Sequence, residues 1–202
     1  MNLDSAINDS ERLIQWLDQN IDGVEYEASD RSKIACACLD MALEHQKAIV
    51  LLSAKKLHGS AAALVRSIFE SYVRGVWFYH SATEQELERF KEKDKLDKTI
   101  QELIDDLEKK PPFTEGTLSN VKKVSWDVMN SFTHSGLYQV IRRHKGDEMS
   151  PNYSDKEIID ALESANSFAI LTGIAIANIA KNDELAVAVF ERGMKYFNKN
   201  PN

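Results

Sequence analysis

Apolar residues recur at helical intervals along almost the whole chain, and no stretch alternates apolar and polar positions long enough to predict a strand. Asn2–Asn20 carries Leu3, Ile7, Leu13, Ile14 and Leu17 at such intervals, and Ile21-Asp22-Gly23 ends that helix. Ser29 or Asp30 opens a long helix to about Leu57, with Ile34, Leu39, Leu43, Ile49, Val50 and Leu52 inward. His58-Gly59-Ser60 reads as the break before a helix over 61–80 that is apolar almost all round, the pattern of a central, buried helix. Thr83-Glu84-Gln85-Glu86 is a capping box that opens a charged helix to Lys93. Asp97–Lys110 follows, with Ile100, Leu103, Ile104 and Leu107 on one face and Pro111-Pro112 as the stop. A helix over Thr117–Phe132, a shorter one over Leu137–His144 and a loop Lys145–Tyr153 come next. A second capping box, Ser154-Asp155-Lys156-Glu157, opens a helix to about Lys181, and Asp183–Phe197 is the last. Ala165, Ala169, Gly173, Ala177 and Ala180 allow close helix approach to the long one.

These elements predict an all-α fold, an irregular bundle of about seven to eight helices around the 61–80 helix, in a single domain over 1–202. The stretch Glu84–Lys110 reads either as a solvated face or as a helical hairpin projecting from the bundle. A membrane role for the central helix is disfavoured by magnitude. Arg66, Glu70 and Arg74 each cost roughly 2.5–3.5 kcal/mol near the middle of a bilayer, against about −0.3 to −0.6 gained per large apolar residue. Phe168–Ala180 is too short to span alone. The formal charge of −7 argues against a general attraction to nucleic acid or anionic membrane, and leaves room for a local basic cleft. The opening residues lack the basic and apolar regions of an export signal, and Cys36 and Cys38 point to different sides of their helix as small core residues. A cytoplasmic location with reduced thiols is expected.

The chemistry concentrates at two places. Arg66, Glu70 and Arg74 stand at i, i+4 and i+8, drifting only about 40° per step, so they form one stripe on an otherwise apolar cylinder. Such a stripe is either a paired network in the core or the lining of a cleft. One Glu serving two Arg leaves a positive charge over, suited to a carboxylate or phosphate, and Trp77 and His80 are expected near the same stripe. The second place is Asn130-Ser131-Phe132-Thr133-His134-Ser135-Gly136, followed by Tyr138, Gln139, Arg142, Arg143 and His144. His134 lies between hydroxyl residues at a helix junction, either as a cross-link between helices or as a general acid or base. Ser131 and Ser135 lack the surroundings of a nucleophile. Arg142 and Arg143, at the end of a short helix, suit either its dipole or an anion. The five histidines are scattered without metal-ligand spacing, and no phosphate-binding glycine loop occurs, so neither metal nor cofactor is expected.

The segment Arg66–Trp77 (RSIFESYVRGVW), joined to the later Ser131–Gly136 (SFTHSG), resembles bacterial all-helical families of unknown function that pair an R-x-x-x-E helix with a downstream histidine motif. The likeness spans Ala61–Tyr153 and implies a helical fold without an established reaction. A fainter resemblance is to the HEPN superfamily of helical nucleases and abortive-infection toxins, through Arg74 followed at the family's spacing by His80. It implies a metal-independent dimeric ribonuclease, with Gly75 standing where those proteins carry a polar residue.

Two functional readings follow. In the first, Arg66, Glu70, Arg74, Ser131, His134, Arg142 and Arg143 form a polar centre that orders the fold or holds a small anion or a protein partner. In the second, Arg74 and His80, or His134, stabilise phosphate charge and move protons during attack by an RNA 2′-hydroxyl, in an open groove at a homodimer interface.

Overall fold

Local capping decides where most helices start. In the computed structural model, which describes residues 2–199, α1 (Leu3–Ile21) is capped by the Asn2 side chain and α2 (Asp30–Ala54) by Ser29. After α3 (His58–His80), full capping boxes open α4 (Glu84–Lys93) at Thr83 and α5 (Ile100–Leu107) at Thr99. Then come α6 (Thr117–Thr133), the single turn α7 (Leu137–Val140), α8 (Asp155–Ile179) behind its Ser154 box, and α9 (Asp183–Lys199). Nine helices are present among the described residues, and the all-α bundle is as the pattern predicts.

Helix α3 is the hub, packed on α2, α5, α6 and α8, with Ile68, Phe69, Val73, Trp77 and Phe78 fully buried. Helix α2 crosses it at Gly75, where an added Cβ would stand 2.7 Å from Leu39 Cγ and 3.1 Å from the Ala35 carbonyl oxygen. No side chain fits there, which is the physical reason for the glycine after Arg74. Helix α8 lies against α1, α2, α3 and α9, with Ala165, Ala169 and Ala177 wholly buried. Among the described helices it is the one long and apolar enough to cross a membrane, and half of its most apolar window is buried inside the protein.

Four boundaries differ from expectation. The break before α3 is Lys55–Leu57, and His58, Gly59 and Ser60 form the first turn of α3. Helix α2 ends in a Schellman motif, with Leu57 N–H donating to Leu52 O at 2.8 Å, Lys56 N–H to Ser53 O at 3.0 Å, and Lys56 in the left-handed region. Gly59 is used for close approach instead, beside Arg143 and Tyr153. Helix α5 begins at Ile100, not Asp97, because Thr99 and Glu102 cap it reciprocally. The expected helix over Leu137–His144 shortens to α7 and a 3-10 turn, Ile141–Arg143. His144 then turns extended, and part of the expected loop pairs as β1 (His144–Lys145) against β2 (Glu148–Met149). The charged stretch 84–110 buries Leu87, Leu103, Ile104 and Leu107, sets Phe90 on Phe78, and turns its charges outward.

Candidate functional site

The i, i+4 spacing on α3 places Arg66 and Arg74 on either side of Glu70. Arg66 Nε donates to Glu70 Oε1 at 2.7 Å, whereas Arg74 Nη2 stands 3.7 Å from Glu70 Oε2. The side chains of Arg66 and Glu70 are 22% and 20% exposed, and that of Arg74 44%. The line is therefore neither a sealed core network nor a loose surface pair. Glu70→Ala is expected to cost about 1–2 kcal/mol, between the roughly 3–5 of a fully buried pair and the 0–1 of an exposed one. Urea denaturation measures it, and a loss above 3 kcal/mol would mean the carboxylate works as a buried partner.

His134 comes to this line from α6, 68 positions away in sequence. Arg66 Nη1 lies 2.6 Å from His134 Nε2. A guanidinium only donates, so Nε2 is the acceptor in this contact. The Arg66 guanidinium also sits 4.8 Å from the centroid of Trp126 on α6, and Lys122 Nζ lies 4.7 Å from the same indole. Trp126 in turn packs edge-on against Phe69 of α3. Three cations thus gather around one indole and one carboxylate, in a protein of net charge −7.

The turn after α6 holds His134 in place by local means. Thr133 Oγ1 donates to Met129 O at 2.9 Å and lies 3.3 Å from Ala63 O, bringing the end of α6 against α3. His134 N–H closes the helix on Asn130 O, Ser135 is left-handed, and Gly136 N–H donates to Ser131 O at 2.7 Å. The Ser131 hydroxyl accepts from Tyr138 N–H at 2.9 Å. A Cβ on Gly136 would stand 2.9 Å from Ser131 Cα, so this reversal admits only glycine.

The remaining candidates lie elsewhere. Ser131 holds the turn rather than reaching the stripe. Arg142 is clamped by Glu157, by the Tyr138 carbonyl at 2.6 Å and by the rings of Phe132 and Tyr138. Arg143 is exposed and approaches Gly59. Trp77 and His80, expected near the stripe, face α5 and the segment after it. Trp77 is fully buried with Nε1 on Asp106, and His80 packs edge-on to Phe113. Fourteen positions from Arg66 to His80 amount to about 21 Å of helix, so His80 lies far along α3 from the point where His134 meets it. Lys122 and Trp126 share one face of α6 at i, i+4, a spacing that does not by itself set them apart from other surface pairs in the sequence.

Burial, and then Lys110, push the His80 pKa below its ordinary value. Burial does the same to His58, with Lys56 adding to it and Asp155 opposing. Both imidazoles take up protons more readily in the unfolded chain, so their stabilisation is present above about pH 6.5 and is lost as pH falls through the lowered folded values. Melting temperatures are expected to drop from pH 7.5 to pH 5, and His80→Gln to flatten that drop. A profile indifferent to this substitution would count against it.

The sequence model of a family described as a family of unknown function (DUF6988) matches residues 39–202. The chain belongs to that family. No curated protein and no solved structure matches the chain. The DUF6988 match runs wider than the stretch Ala61–Tyr153 that carries the sequence resemblance. It takes in Arg66, Glu70, Arg74, Trp126 and His134 together and leaves α1 outside.

Proposed function

We propose that this DUF6988 protein is a non-catalytic binding protein whose Arg66–Glu70–Arg74 line, with His134, takes up a small carboxylate or phosphate. The observation that carries this is the uneven sharing of Glu70. Arg66 holds it at 2.7 Å, while the more exposed Arg74 reaches it only at 3.7 Å and keeps most of its hydrogen-bonding capacity for a ligand. A cytoplasmic setting with reduced thiols belongs to the same reading, since Cys36 and Cys38 are free and buried. Isothermal titration with inorganic phosphate and with acetate tests it. Binding that weakens about tenfold in Arg74→Gln and declines with added salt is expected; absence of heat at millimolar anion, or indifference to Arg74→Gln, would sink it.

A second reading, the metal-independent ribonuclease, draws on the exposed imidazole of His134 against a guanidinium. Arg74 and His80 do not suit it together, because six positions put them about 120° apart around α3. Incubation with RNA decides between the readings: intact RNA with the wild-type protein removes the nuclease, and cleavage lost in His134→Ala favours it.

A further inference from the structure

The cleft between α3, α6 and α8 encloses a cavity of about 320 Å³, near the lower end of the ~300–1,000 Å³ typical of small-molecule pockets. None of Arg66, Glu70, Arg74 and His134 lines it. Its walls are apolar, with Val65 from α3, Val128 and Phe132 from α6, and Ile158 and Ala161 from α8. Val128 is partly exposed, so the cleft opens to solvent on the α6 side. The polar end is made by Ser53 at the end of α2, His58 at the start of α3, and Tyr153 just before α8.

At that end the Ser53 hydroxyl, His58 Nδ1 and the Tyr153 hydroxyl are all buried without a hydrogen-bond partner. The two rings lie edge to face with centroids 5.7 Å apart. Buried polar atoms in folded proteins are nearly always paired, with protein, water or ligand, so three orphans at one end of a cavity point to something that fills it. The charges at the rim are already paired. Arg142 is held by Glu157, and Asp160 by Lys156 at 2.8 Å. Arg143, whose guanidinium approaches Gly59 on the same side as the Tyr153 hydroxyl, does not itself line the cavity. Burial, followed by Lys56 and against Asp155, lowers the His58 pKa and so favours its neutral imidazole. The three unpaired groups at the polar end are thus uncharged donors and acceptors, and they are shared with a second cleft lined by Asn2, Lys56 and Asp155.

We propose that this cavity binds an uncharged amphiphile, its apolar body lying between Val65, Val128 and Ile158 and a hydroxyl or carbonyl head meeting Ser53, His58 and Tyr153. A charged head would lose its water, and the charges that line the cavity, Arg142, Glu157 and Asp160, are already paired and leave it no counter-charge. The site is separate from the anion site proposed above, and neither depends on the other.

Titration with 1-octanol and with octanoate, followed through the methyl resonances of Val65, Val128 and Ile158, tests the proposal. Saturable binding of 1-octanol is expected, with octanoate at least tenfold weaker at these methyls. Ala161→Phe, which fills the cavity, is expected to abolish 1-octanol binding. Tyr153→Phe is expected to weaken it about fivefold without lowering the melting temperature of the free protein. Octanoate binding as tightly as 1-octanol, no shift with either probe, or full 1-octanol binding in Ala161→Phe overturns the site. Should Ala161→Phe fail to fold, Tyr153→Phe decides alone, because a lowered melting temperature with unchanged 1-octanol binding would mean the hydroxyl is a structural group.

Discussion

Truncating Trp77 to alanine is expected to destabilise the protein by about 3–5 kcal/mol, the usual range for emptying a fully buried aromatic site. The ring is completely buried and sits edge-on to Phe78 at 5.2 Å. Its Nε1 donates to Asp106 at 3.3 Å, and Lys98 Nζ lies 5.2 Å from the ring centroid. The loss therefore includes more than cavity formation. Burial would raise the Asp106 pKa, but hydrogen bonds from Lys98, Trp77 and Lys109 outweigh it and hold the carboxyl below its ordinary value. Alanine removes one of those donors as well as the packing. Trp77→Phe keeps most of the apolar volume and is expected to lose only about 1–2 kcal/mol, the hydrogen bond and some packing. Urea midpoints of the two variants at pH 7 give the comparison. Equal losses would mean that the indole N–H, not the ring volume, is what this position supplies.

Asn166→Leu is expected to cost about 2–4 kcal/mol although it puts an apolar side chain into the core. Asn166 is fully buried on α8, where its Oδ1 accepts from Gln46 Nε2 at 2.8 Å. Its Nδ2 donates to Ser10 Oγ at 2.8 Å and to the Tyr196 hydroxyl at 2.7 Å. One amide so joins α1, α2, α8 and α9. Leucine strands the Gln46 amide, which is 1% exposed, and removes three hydrogen bonds at once. The partner change Gln46→Leu is expected to recover part of the loss in the double variant, because replacing both partners leaves nothing unpaired. A double-mutant cycle by urea denaturation reads the coupling. Strict additivity of the two losses would show that the amides act independently.

Local chemistry is what the sequence displays best. The capping boxes at Thr83 and Ser154 are visible because both partners lie within four residues. The Thr99–Glu102 box has the same signature, and it overrides the apolar periodicity that places the helix start at Asp97. Gly59 misleads, since a glycine demanded by a neighbouring side chain looks like one that breaks a helix. The polar stripe on α3 is legible from i, i+4 spacing alone. Whether it is sealed is not, because the exposure of Arg74 depends on what α2 and α6 leave uncovered.

His134 and Trp126 illustrate the limit for the site. Nothing near either residue in sequence says that they meet Arg66; that contact follows from the docking of α6 on α3 through Phe69. The Ser10–Gln46–Asn166–Tyr196 network is illegible for the same reason, with 156 positions between Ser10 and the Asn166 amide that it meets. By itself, then, the sequence determines the helices, their caps, the all-α class and the charged line on the central helix, since each rests on interactions within a turn or two of the chain. Only the tertiary structure decides that His134 closes on that line, that Trp77 and His80 face away from it, and that three unpaired polar atoms converge at the end of an apolar cleft. Those are packing outcomes, fixed by which helix faces meet, and no local pattern encodes them.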